Sequence, residues 1–138
     1  MHKKVIVVPC SGIGKVFGLM AREAVLETVH NLCPEKAETV CLAYIMTGDQ
    51  EAREKVEGMN CITVDGCPKM CASKNISFIG GKVMEGIKVL DTVKEHKGKQ
   101  FGTATMLDAD GELVVNQIAQ KIVKKIDEIN QEESSCQN

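Results

Sequence analysis

Three cysteines stand where a chain of this kind could put them to chemical use. Cys67 and Cys71 lie four positions apart, directly behind Asp65-Gly66, and Cys10 follows the β-branched run Val5 to Val8 and its stop, Pro9. A spacing of four puts two side chains on one helical face, and three intervening residues fall within the spacing of zinc knuckles. Zn²⁺ asks for four soft or borderline ligands in a tetrahedron, and thiolates beside helix N-termini are favoured by the dipole. Three thiolates without a fourth ligand would leave a position open to water or substrate, which is the geometry of catalysis.

The loop behind Cys10 has chemistry of its own. Ser11, Gly12, Gly14 and Lys15 make a glycine-bearing turn that opens a helix, where unbonded N–H groups and a lysine can receive an anion or stabilise the Cys10 thiolate. A turn that simply needs glycines is the plainer reading. A Walker A motif would need glycine at position 9 and serine or threonine at 16, where Pro9 and Val16 stand. Cysteine-dependent phosphatases and arsenate reductases need an arginine six positions after the nucleophile, and Val16 occupies that place as well. Thiol redox or sulfur transfer, using Cys10 with Cys67 or Cys71 as resolving partner, is compatible with the residues present. The lack of a C-x-x-C pair argues against a thioredoxin-like mechanism. Asp65 is expected to cap the helix that follows it or to support the site from behind, and Gly66 to serve a tight turn or a close backbone approach.

The elements that must position these residues alternate. Val5 to Val8 reads as a buried strand. Lys15 to about Leu32 reads as an amphipathic helix with Phe17, Ala21, Ala24, Val25, Thr28 and Leu32 on its packed face, ended by Pro34. A second strand is expected over Thr39 to Met46, then a helix from Asp49 to Val56 with Asp49 as N-cap. Cys61 to Val64 predicts the third strand, and Pro68 to Lys74 or Asn75 a short helix. Ile76 to Ile79 predicts a fourth strand before the Gly80-Gly81 turn, and Ile87 to Val93 a weaker one. Val114, Ile118, Ile122, Ile126 and Ile129 step along a closing helix. This pattern implies a single three-layer α/β domain over residues 1–130, with a mainly parallel sheet of about four strands and helices on both faces. Residues 131–138 read as a polar, frayed tail. In such sheets ligands bind beyond the carboxyl ends of the strands, the place Cys10 and Cys67 occupy.

Four motifs taken together, Cys10-Ser11-Gly12, Cys41-Leu42-Ala43, Asp65-Gly66-Cys67-Pro68 and Cys71-Ala72, resemble a prokaryotic family of proposed zinc-binding proteins named after its Asp-Gly-Cys motif. The resemblance runs from about Val5 to the final helix, with the motifs in the right order. The family pattern has four cysteines proposed as zinc ligands, which by motif fall here on Cys10, Cys41, Cys67 and Cys71. The resemblance implies a zinc-binding protein with a structural or metal-carrying role. It implies Zn²⁺ as cofactor and a metal ion as partner, and it names no reaction. Thiolates bind iron too, so iron is the alternative metal. Cys41 is the open point. A strand through Met46 would put it at the wrong end of the sheet, whereas a strand ending near Leu42 would bring it beside Cys10. Cysteine is also among the most buried residue types, so each of these thiols has a plain core reading. Cys33, Cys61 and Cys136 fall at a helix end, a strand start and the tail, away from the motifs.

Composition sets the outer bounds. The chain has 138 residues, 43% apolar and 26% charged, enough to bury a core without a disulfide scaffold. Its net charge of -2 and three Phe, one Tyr and no Trp disfavour nucleic acid, which calls for a basic stripe and stacking rings. No apolar run reaches the roughly 18 residues of a membrane span. The apolar stretch behind Met1-His2-Lys3-Lys4 is too short for a signal-peptide core. The expectation is a cytoplasmic protein, in which clustered thiols, odd in number, mean metal or catalysis more often than disulfides.

Overall fold

The computed structural model describes residues 4–10, 15–66 and 69–136, the side chains of 133–136 excepted. Four strands form one sheet: β1 (Val5–Pro9), β2 (Ala37–Glu38), β3 (Asn60–Asp65) and β4 (Lys82–Lys88). The order is β2-β1-β3-β4 and every pairing is parallel. In β1 and β3 consecutive residues are buried, although they point to opposite faces. That pattern belongs to a parallel sheet covered on both sides.

The cover comes from two sets of helices. α1 (Val16–Glu27), α5 (Val89–Val93) and α6 (Ala109–Cys136) pack on one another and on the sheet, while α2 (Leu42–Met46), α3 (Gln50–Val56) and α4 (Cys71–Phe78) form a second set that reaches the sheet through α4. α1 ends in a π-helical turn, Thr28–Leu32, in which the Thr28 hydroxyl donates to the Ala24 carbonyl and the Cys33 N–H donates to the Thr28 carbonyl. Val114, Ile118, Ile122, Ile126 and Ile129 line the buried face of α6 as their spacing predicts. The helix continues to Cys136, into the stretch read from sequence as a tail.

Two expected strands are helices instead, and so is most of the weaker third, Ile87 to Val93, of which only Ile87 and Lys88 are strand. β2 ends at Glu38, before the stretch 39–46 begins, and within that stretch Leu42–Met46 is helical, with Leu42 and Ile45 buried and Tyr44 and Met46 exposed. The buried pair is three apart, which is helical spacing; a strand would have placed Leu42, Tyr44 and Met46 on one face. Ile76 to Phe78 closes α4, where Ala72 and Ile76 share the buried face and Phe78 is 86% exposed. The Gly80-Gly81 pair ends that helix. Gly80 has φ +93 and donates to the Ser77 carbonyl at 3.2 Å, and Gly81 donates to the Ile76 carbonyl at 2.9 Å. This is a Schellman stop, which needs a left-handed residue and so selects glycine. The fourth strand lies six residues downstream of its expected start, at Lys82–Lys88, and Val89–Val93 is α5. Being an edge strand with Glu85 and Gly86 in its middle, β4 carries little of the hydrophobic signal.

Val114, Ile118, Ile122, Ile126 and Ile129 make the α6 stripe a fully buried apolar surface. Ile122→Ala should cost roughly 2 to 5 kcal/mol, read as a lowered midpoint in denaturant unfolding. A loss below about 1 kcal/mol, well under the usual cost of such a core deletion, would show that α6 is not part of the core.

Candidate functional site

β2 lies on one side of β1 and β3 on the other, so the chain reverses its direction of winding between β1 and β3. At such a reversal the connections leave in opposite directions and open a crevice at the carboxyl ends. Cys10 is the first residue beyond β1 and sits in that crevice, 3% exposed. Its N–H donates to the Val64 carbonyl at 2.9 Å, extending the β1–β3 ladder by one bond. Its Sγ accepts the Gly66 N–H at 3.1 Å.

Gly66 is where β3 ends and where α1 comes closest to it. A Cβ at this position would lie 2.7 Å from the carbonyl carbon and oxygen of Phe17 and 2.8 Å from the Gly18 nitrogen. These are backbone atoms of the first turn of α1, which cannot move aside as a side chain can. The close backbone approach expected of Gly66 is therefore real.

Asp65, the last residue of β3, is 1% exposed. Its Oδ1 accepts the Ala72 N–H at 2.8 Å and its Oδ2 accepts the Ser73 N–H at 3.2 Å. It thus satisfies two first-turn amides of α4 from across the intervening loop, the capping role expected of it. Burial pushes its carboxyl above the usual carboxylate range, against the downward pull of those two N–H groups. Cys71 is the first residue of α4, and its carbonyl accepts the Asn75 side-chain amide at 2.8 Å. Met70 before it is left-handed, at φ +56. α4 begins only at Cys71, with Lys69 and Met70 outside it, so the helix starts later than the expected Pro68. The expected pairing of Cys71 with Cys67 on one helical face lies outside the described residues.

Cys41 stands at the N-cap of α2, exposed, three residues beyond the end of β2. The early end of β2 thus puts Cys41 past the carboxyl end of its strand, on the same side of the sheet as Cys10. It opens on a cleft of about 490 Å³ between α2 and α3, lined also by Tyr44, Asp49 and Lys55. Lys15 is exposed and precedes α1 without capping it through its side chain. Ser11, Gly12, Gly14 and Cys67 lie outside the described residues. Among the described residues, no three His, Cys, Asp or Glu side chains are grouped so that they could hold a metal ion. Cys10, Cys41 and Cys71 are therefore on one edge of the sheet without forming such a group by themselves.

The remaining thiols differ in kind. Cys61 is fully buried at the start of β3, its Sγ 3.4 Å from the Met59 carbonyl, and burial pushes its thiol up to about 11. Burial, with Asp127 nearby, raises Cys33 as well. Two residues that no motif indicates also belong to the site's surroundings, Phe17 and Phe101. Their rings meet edge to face at 6.4 Å.

A parallel α/β sheet with cysteines on the loops at its reversal defines the class of protein. The family is shown by its model: the DGC domain matches residues 6–112, and the chain belongs to that family. No curated protein and no solved structure matches it.

Two outcomes follow from this geometry. Gly66→Ala should destabilise by about 1 to 3 kcal/mol through overpacking. Gly86→Ala, whose Cβ would meet nothing closer than Met70 Cε at 3.3 Å, should be tolerated. Equal effects in thermal unfolding would refute the contact at Gly66. For the thiols, the folded value of Cys61 lies above its ordinary value of 9.0. The stability gained by burying the neutral thiol is complete below that value and is lost as pH rises through about 11. Native protein at pH 8 should alkylate Cys41 rapidly and leave Cys61 intact. Peptide mapping that finds Cys61 labelled at a comparable rate would contradict the burial.

Proposed function

We propose that the protein is a thiolate metal-binding protein, with its site at the carboxyl edge of the sheet and with Cys10, Cys41, Cys67 and Cys71 as ligands. The observation that carries this reading is the Gly66 N–H held against Cys10 Sγ at 3.1 Å. A neutral thiol sulfur is only a weak acceptor, whereas a metal-bound thiolate is a strong one that such amides steady, so an amide aimed at this sulfur supports the ligand role. The donor set fits the group: four thiolates suit Zn²⁺ in a tetrahedron, with iron as the competing ion. Cys10 and Cys71 would be the fixed ligands, one through its ladder bond to Val64, the other through the Asp65 cap on its helix. Cys41, exposed at an N-cap, would complete the set. Bound zinc would cross-link the loops behind β1, β2 and β3. With all four positions taken by protein, the role is structural or metal-carrying.

The test is metal content per chain on protein purified without added metal. About one zinc per chain is expected, lost together with thermal stability in Cys10→Ser and Cys67→Ser and kept in Cys33→Ser. Unchanged metal content in both of the first two variants would rule the ligand set out. Metal-free protein in which mapping finds Cys10 in a reversible disulfide with Cys67 or Cys71 would put thiol redox or sulfur transfer in its place.

A further inference from the structure

Phe101 has no place in the motifs and lies in a stretch from which the sequence gives little signal, yet its backbone is held in a conformation that a phenylalanine adopts only under constraint. Its φ is +69, and Met70 is the only other described non-glycine residue with positive φ. It is nonetheless 3% exposed. For a bulky residue the left-handed region costs free energy and persists only where the surroundings over-determine it.

Those surroundings can be named. The Phe101 carbonyl accepts the Asp108 N–H at 3.0 Å and lies against Gly111, where no side chain would fit. Gly102 pairs with Leu107 in an isolated antiparallel bridge, and the Thr103 N–H donates to the Met106 carbonyl at 2.8 Å. Asp108 then accepts the Gly111 N–H at 2.8 Å through Oδ1 and the Glu112 N–H through its carbonyl, which ties the loop to the start of α6. This framework aims the Phe101 ring at Phe17, at 6.4 Å and 62°. Phe17 is in the first turn of α1, and its backbone is the surface on which Gly66 sits. Gly66 in turn donates to Cys10 Sγ. A continuous line of contact thus runs from the start of α6 to the thiol. The chain has three phenylalanines, and two of them form this one pair while the third, Phe78, faces solvent.

We propose that Phe101 is a positioning residue for the Cys10 thiol, acting through Phe17 and Gly66. Its ring braces the first turn of α1 against the end of β3, which keeps the Gly66 N–H on Cys10 Sγ and the thiol out of solvent. The consequence for metal binding rests on the reading of Cys10 as a ligand; the positioning itself does not.

The experiment is alkylation with iodoacetamide at one fixed pH on the full-length protein treated with chelator, followed by peptide mapping. Cys61 serves as an internal reporter, because it reacts only when the core opens. In Phe101→Leu, Cys10 should label on the order of three- to tenfold faster, as expected for loss of an aromatic pair, with Cys61 still unlabelled. Phe101→Tyr, which keeps the ring, should return Cys10 to the wild-type rate. If Phe101→Leu does not fold, Phe17→Leu removes the same pair from the other side and should give the same rise. An unchanged Cys10 rate in a folded ring-deleted variant, or Cys10 and Cys61 rising together, overturns the proposal. Chelated wild-type protein that never carried metal leaves this comparison intact, so failure of the metal reading and failure of the positioning role are told apart.

Discussion

The backbone of Phe17 and Gly18 lies so close to Gly66 that not even a methyl group fits between them, and much of the site's geometry follows from that contact. The contact joins the first turn of α1 to the end of β3 at the point where the sheet reverses its winding. It fixes where the loop behind β1 must return to become a helix. It also leaves the Gly66 N–H with one direction to face, and Cys10 Sγ lies in that direction. A residue with a side chain would push α1 off the strand and turn the donor away from the sulfur. One glycine therefore ends the strand, admits the helix and supplies a hydrogen bond to the thiol.

Asp65 sets the other side of the same loop, and two effects oppose each other there. A carboxylate buried to this degree is disfavoured, and the upward displacement of its titration says that burial outweighs the two N–H groups it accepts. What retains it is the requirement at the far end of those bonds. The Ala72 and Ser73 amides lie in the first turn of α4, where no carbonyl of the helix can reach them. Without Asp65 the helix would begin with orphaned donors in a buried place. The result is a connection held at both ends, by Gly66 on α1 and by Asp65 on α4, with the left-handed Met70 absorbing the turn into Cys71.

The parts of this arrangement that were legible in sequence are those governed by local rules. β1, β3, α1 and the α6 stripe follow hydrophobic period and length, and the N-cap of α3 by Asp49 follows from a residue type whose carboxylate accepts the Ala52 N–H at 2.9 Å. The errors occur where short apolar runs fit either period. Leu42 to Met46 and Ile76 to Phe78 could pack as strand or helix, and tertiary contact chose helix in both. β4 was caught only at Ile87 and Lys88, inside the weaker run expected through Val93, because an edge strand needs only part of one face to be apolar. For the site, the residue types of Asp65 and Gly66 pointed to the cap and the close backbone approach that they make, yet they could not say where α4 begins, since that depends on a cap delivered from another element. Phe101 left no trace in the sequence at all. A left-handed phenylalanine is recognisable only from the bonds that force it.

The cysteines divide by what surrounds them, and that division bears on how metal and fold would be coupled. Cys61 and Cys33 are neutral core thiols whose burial raises them further from ionisation, so they serve packing. Cys10 and Cys71 stand at the strand ends, in positions fixed by protein bonds that involve no metal. The core is continuous from Val5 to Ile129 and is that of a full-sized domain. A metal taken up by such a fold would thus not create it, as it does in a small zinc finger that is unfolded when empty. On the proposed reading it would tie the exposed Cys41 to the thiols at the strand ends. Its binding energy would then appear as added stability on a protein that remains folded without it. That is the thermodynamic condition for a site that can release its metal as well as hold it.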